Sequence, residues 1–264
     1  MYLGFNLETN IDYSNWYEKG KQTYQDKAKE INKSLASYLH QGTKTINGNS
    51  LENDWFPEIN ADVFLSHSHA DEKNTIGFAG WLQESFGLTV FIDSCVWGHS
   101  NVLLKNIDDE YCLNSEGNMY DYNKRNYSTS HVHMMLSMAL SKMMDKAELV
   151  IFMATDNSIQ PISKTISQTT KSPWIYNELV MTNLIRKNTP NRTIEKSFEK
   201  RAYNEANQLD VAYDVSSYLN KLIPLKDGNL RIWSKQYQHD YPSQIHPLDY
   251  LYAQFKRSEE MLLK

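Results

Sequence analysis

Three short apolar runs constrain this chain more than any other feature: Ala61-Asp62-Val63-Phe64-Leu65-Ser66, Leu88-Thr89-Val90-Phe91-Ile92-Asp93 and Leu149-Val150-Ile151-Phe152-Met153-Ala154. They are rich in β-branched and aromatic side chains, end in polar residues, and read as buried strands. Between them lie stretches with the 3.6-residue rhythm of helices. Strands alternating with helices predict βαβ units around a parallel sheet, and right-handed crossovers put helices on both faces. In such a sheet the C-terminal strand ends gather at one rim. Residues 66–71, 93–97 and 155–158 should therefore meet there.

The helical stretches follow. Residues 71–86 carry Ile76, Phe78, Ala79, Trp81, Leu82 and Phe86, and residues 131–146 carry Val132, Met135, Leu136, Ala139, Leu140, Met143 and Met144. A methionine stripe at this spacing reads as core. Further helices are expected at 173–187, 216–222 and 246–255. Residues 209–215 and Leu230-Arg231-Ile232-Trp233 read as two weaker strands, which brings the sheet to about five. Upstream, Tyr17, Tyr24, Ala28, Ile31, Leu35 and Tyr38 form one apolar stripe, followed by a Gly- and Asn-rich loop at 42–54. The expected organisation is an N-terminal helical extension over 1–55 and an α/β domain over 56–264. That domain carries a polar insertion at 98–130, too long for an ordinary connection.

Composition excludes several function classes. The 264 residues carry a net charge of -5, with no basic patch, so nucleic acid is not an expected partner. No apolar run is long enough to cross a bilayer, and the N-terminus lacks the pattern of a signal peptide. The two cysteines, Cys95 and Cys112, make neither a disulfide framework nor a Cys-rich metal site. A cytoplasmic protein with free thiols, away from membranes, is the expectation.

The segment Ser172-Pro173-Trp174-Ile175-Tyr176-Asn177-Glu178-Leu179 opens the helix after the third strand. Ser172 suits the N-cap and Pro173 the first helical position. Trp174 and Glu178 are four residues apart and share a face. A carboxylate beside an indole, above the carboxyl end of a strand, occupies the region where open α/β sheets bind ligands.

Two family resemblances bear on the polar residues. His67-Ser68-His69-Ala70-Asp71 resembles the zinc-binding H-x-H-x-D motif of metallo-β-lactamase-fold hydrolases, but Glu72 stands where that family has its next His. The preceding chain also lacks that fold's β-rich half.

The second resemblance spans roughly residues 61–186. Asp62-Val63-Phe64-Leu65-Ser66-His67-Ser68-His69-Ala70-Asp71 resembles the first strand and loop of TIR domains. Residues 86–93 and 148–154 resemble their second and third strands. Ser172-x-Trp174-x-x-x-Glu178-Leu179 resembles their S-x-W-x-x-x-E-L helix. The resemblance implies a flavodoxin-like parallel sheet and, in the NAD-cleaving branch, Glu178 as the catalytic residue. Ser66, His67, Ser68, Asp93, Trp97 and Trp174 are the substrate-binding candidates, with no metal and no cofactor other than NAD as substrate. Similarity to bacterial TIR proteins of Thoeris anti-phage defence further implies a phage-derived trigger and self-association. It also implies an ADP-ribose-derived signal, cyclic or conjugated, that reaches a separate effector. The same fold equally supports a non-catalytic TIR-like assembly module.

Overall fold

The computed structural model describes residues 1–27, 34–161, 168–188, 190, 212–242 and 244–262. Its centre is a five-stranded sheet built from β1 (Leu3–Glu8), β2 (Val63–Ser66), β3 (Val90–Ile92), β4 (Leu149–Met153) and a C-terminal strand, Ile223–Lys226. Between the last two strands lie a two-residue strand β5 (Thr169–Thr170) and its antiparallel partner β6 (Tyr213–Asp214), so the C-terminal strand is β7. The order across the main sheet is β3-β2-β4-β1-β7, and every pairing is parallel. This is an α/β, flavodoxin-like architecture.

The three anticipated strands are present. β2, β3 and β4 are buried throughout, as strands covered on both faces must be.

β1 departs from the sequence expectation. Residues 1–55 are not wholly a helical extension, because Leu3–Glu8 pairs with β4 on one side and β7 on the other. Phe5 and Leu7 of this strand are buried in the central core. Gly4 and Asn6 disguise the strand, since both residue types are depleted in sheets.

β7 was likewise not expected, because Pro224 breaks the strand pattern. Proline is tolerated there because β7 is the last strand in the sheet order, where a missing N–H costs no ladder bond. The expected strand at 230–233 is instead part of a helix. Leu230 and Trp233, three apart, face the core, while Ile232 is exposed. The expected strand at 209–215 survives only as β6, with 209–211 outside the described residues.

The helices are α1 (Tyr17–Lys27), α2 (Gly48–Trp55), α3 (Glu72–Phe86), α4 (Ser94–Ile107), α5 (Tyr122–Lys146), α6 (Pro173–Leu184), α7 (Ser216–Leu219), α8 (Asp227–His239) and α9 (Pro247–Leu262). They fall into two packing groups. One joins α1, α3, α8 and α9, and the other joins α2, α4, α5, α6 and α7. Right-handed crossovers put such groups on opposite faces of a parallel sheet.

Two further corrections concern loops. Part of the 42–54 stretch folds as α2, capped by Asn47, whose side chain accepts from Ser50 N at 3.1 Å. The polar 98–130 stretch is largely regular structure. It comprises most of α4, a π-helical turn at Asp108–Cys112, a short hairpin and the first turns of α5. Asp108, buried in the π turn, pins these pieces together. It accepts from Arg125 Nε at 2.8 Å and from Ser128 Oγ at 2.6 Å. Cys112 is buried and free. No helix among the described residues is long and apolar enough to cross a membrane.

Candidate functional site

The chain leaves β2 toward β3 on one side, while β4 lies on the other. Such a reversal opens a crevice at the carboxyl ends of the strands, the usual ligand position in open α/β sheets. Ser66 is the last residue of β2, and Asp93 follows β3 directly. α6 begins as the sequence predicts, with Pro173 in its first turn and Ser172 Oγ accepting from Ile175 N at 3.3 Å. That cap fixes the helix start and carries Glu178 inward on the second turn.

These elements bring four of the predicted residues together. Ser66 Oγ donates to Glu178 Oε2 at 2.5 Å. His67 Nδ1 lies 2.6 Å from Asp93 Oδ1, and both side chains are 0% exposed. Asp93 also accepts from Ser94 N at 2.8 Å and thereby caps α4. Glu178 itself is only 1% exposed.

Burial and the charge of Asp93 push the Glu178 carboxyl well above the usual carboxylate range, with a hydrogen-bonding contribution from Asp93 in the same direction and the Ser66 hydroxyl opposing. Burial lowers the His67 imidazole, but the charge and hydrogen bond of Asp93 outweigh it, helped by Glu72 and Asp71. The net direction for His67 is upward. The cluster therefore combines an imidazole favoured in its charged form with a carboxyl, Glu178, that resists ionising beside the Asp93 charge.

The other predicted residues sit apart from this buried group. Ser68 is half-buried, and its carbonyl accepts from Asp71 N at 2.8 Å. Trp174 is half-buried and meets His133 of α5 edge-on, with ring centroids 5.4 Å apart. The backbone of Trp97 is in α4, and its side chain lies outside the described residues.

The H-x-H-x-D residues do not converge as a ligand set. His67 is buried against Asp93, whereas His69 is exposed. The Asp71 carboxylate accepts from Thr155 Oγ1 at 2.5 Å and from Asn157 Nδ2 at 2.7 Å. Among the described residues no three His, Cys, Asp or Glu side chains gather for a metal ion.

Sequence reasoning missed two supports of the site. One is this Asp71 clamp, which ties the loop after β2 to the loop after β4. The polar residues closing both strands were its only trace. The other is Ser137 Oγ donating to Asn177 Oδ1 at 3.2 Å, which docks α6 on α5 one residue before Glu178.

Comparison with known proteins found no matching family model, no matching curated protein and no matching solved structure.

Proposed function

We propose that this chain is a TIR-like enzyme that cleaves the nicotinamide–ribose bond of NAD, with Glu178 as its catalytic residue. The observation that supports this reading is the pairing of Glu178 with Ser66 at the carboxyl end of β2, beside Asp93. Ser66 from the strand motif and Glu178 from the helix motif thus meet at the carboxyl end of β2.

The chemistry needs one anion. The C1′–N bond breaks with its electron pair going to the cationic nicotinamide, which leaves neutral and needs no proton. Ordinary glycosidases need a second carboxyl because their leaving oxygen must be protonated. An ionised Glu178 stabilises the ribosyl cation and accepts hydrogen bonds from ribose hydroxyls. Water, or a nucleophile within the same molecule, then attacks C1′ and gives an ADP-ribose or cyclic ADP-ribose product. Ser66 holds the carboxylate, Trp174 on the same helix is the candidate stacking face, and Ser68, half-buried after β2, is a further substrate-binding candidate.

On this reading the protein works in the cytoplasm, self-associates, responds to a phage-derived trigger and signals through the nucleotide product to a separate effector. A specific observation also supports a second reading, a non-catalytic assembly module: Glu178 is almost wholly covered.

NAD consumption and nicotinamide release by the purified protein, with and without lysate of phage-infected cells, separate the two readings. Turnover that drops at least roughly a hundredfold in Glu178→Gln is expected for the enzyme. Full turnover in that variant refutes the catalytic assignment. A protein that consumes no NAD under either condition, yet assembles, is the module.

A further inference from the structure

The NAD reading requires a negative charge on Glu178 in a place that opposes it. The carboxyl is 1% exposed and held by Ser66 Oγ, and the charge of Asp93 opposes its ionisation. The negative charge of buried Asp93 and the desolvation of the site both oppose a second negative charge on Glu178. His67 adds a third member. Its Nδ1 is 2.6 Å from Asp93 Oδ1, and its backbone N–H donates to Asp93 Oδ2 at 3.4 Å. With a full positive charge on the imidazole, the Asp93 charge is compensated within the pair.

We infer that His67 and Asp93 are positioning residues for Glu178, a buried ion pair that governs whether Glu178 carries a proton. The effect on NAD turnover rests on the proposed enzymatic reading, whereas the effect on Glu178 itself does not.

In this arrangement the imidazolium offsets the Asp93 charge that opposes ionisation of Glu178. When Glu178 ionises, its proton leaves for solvent, and Asp93 stays paired with His67. Removing either partner then acts in opposite directions. Without His67 the Asp93 charge is uncompensated and opposes the Glu178 charge more strongly, so ionising Glu178 takes a higher pH. Without the Asp93 charge Glu178 loses its repelling neighbour and ionises at lower pH.

The surroundings are consistent with this pairing. Asp71 and Glu72, at the start of α3, favour the charged form of His67. α5 brings His133, which packs against the ring of Trp174 on α6. From β6 and α7, Tyr213 and Tyr218 pack against Tyr176.

The test is a pH titration of the Glu178 carboxyl in the full chain, read by carbon-13 NMR of glutamate-labelled protein, with Glu178→Gln identifying the signal. Its midpoint is expected to move up in His67→Gln and down in Asp93→Asn. Circular dichroism establishes that each variant is folded. If one does not fold, the other decides alone. If neither folds, Glu72→Gln, which weakens the charged form of His67, is expected to move the midpoint up. A midpoint that stays at the wild-type pH, or moves the same way in His67→Gln and Asp93→Asn, overturns the inference. The pH profile of NAD cleavage is expected to shift in the same senses. Midpoints that move as expected in a protein with no turnover sustain the ion-pair role and refute the enzymatic reading.

Discussion

Ser66 Oγ and Glu178 Oε2 are 2.5 Å apart, although the two residues are separated by 112 positions in the chain. One closes β2 and the other sits on the second turn of α6. Their bond therefore depends on the crossover topology rather than on local sequence. A buried carboxyl costs stability once it is ionised, because desolvation opposes that form.

That cost has a pH signature. The folded state keeps a proton on Glu178 well above 4.5, the ordinary value at which the unfolded chain releases it. A raised carboxyl contributes stability that is full below the unfolded value and is lost as pH rises through the folded one. Glu178→Gln keeps a neutral group in place and removes this loss. Wild-type stability relative to the variant is therefore expected to fall from about pH 4.5 upward, by at most ~1.4 kcal/mol per pH unit. Chemical denaturation across pH reads this directly, and a pH-independent difference contradicts it.

The α1–α3 crossing is the next test. A Cβ on Gly20 would stand 1.8 Å from Ile76 O, and one on Gly80 would stand 2.3 Å from Trp16 O. Both contacts are with backbone, which has no rotamer to yield. Gly80→Ala is expected to destabilise the fold by about 1–3 kcal/mol through overpacking, measured as a lower urea midpoint.

Trp233 joins α8 to α3. Its ring stacks on Phe86 with centroids 3.9 Å apart, and its Nε1 donates to Pro247 O at 2.8 Å. Trp233→Phe keeps an aromatic ring in place and loses the hydrogen bond, leaving the Pro247 carbonyl without that donor. The expected loss is about 1–3 kcal/mol. Trp233→Ala adds the cavity term and should cost about 3–5 kcal/mol. Equal losses in the two variants contradict this division.

At the rim, the Asp71 carboxylate receives Thr155 and Asn157. Asp71→Ala is expected to leave the sheet intact and to speed hydrogen exchange at the amides of residues 155–158 severalfold. Unchanged exchange there means that the clamp does not hold the loop.

The contrast between legible and hidden parts has physical causes. β2, β3 and β4 were readable because buried parallel strands are continuous apolar runs. The start of α6 was readable because Ser172 and Pro173 act on the next few residues alone. β1 and β7 were hidden because Gly4, Asn6 and Pro224 contradict local strand preference, and only pairing with neighbours far along the chain overrides it. Residues 230–233 misled because Leu, Ile and Trp suit either structure, and the three-residue spacing of Leu230 and Trp233 emerges only with the helix. At the site, the residue types at the strand ends were evident. The ion pair that removes His67 from the surface was not, since 26 positions separate His67 from Asp93.

The place of β1 between β4 and β7 has a consequence for biosynthesis. A ribosome makes Leu3–Glu8 long before either neighbour: Leu3 pairs with Leu149, and Phe5 with Ile223. Until Leu149–Met153 is made the strand has no ladder to join, and its apolar side chains have no core. Closure of the sheet waits until Ile223–Lys226 has left the exit tunnel, and until then the apolar side chains of β1 are exposed to the aggregation that unpaired strands invite.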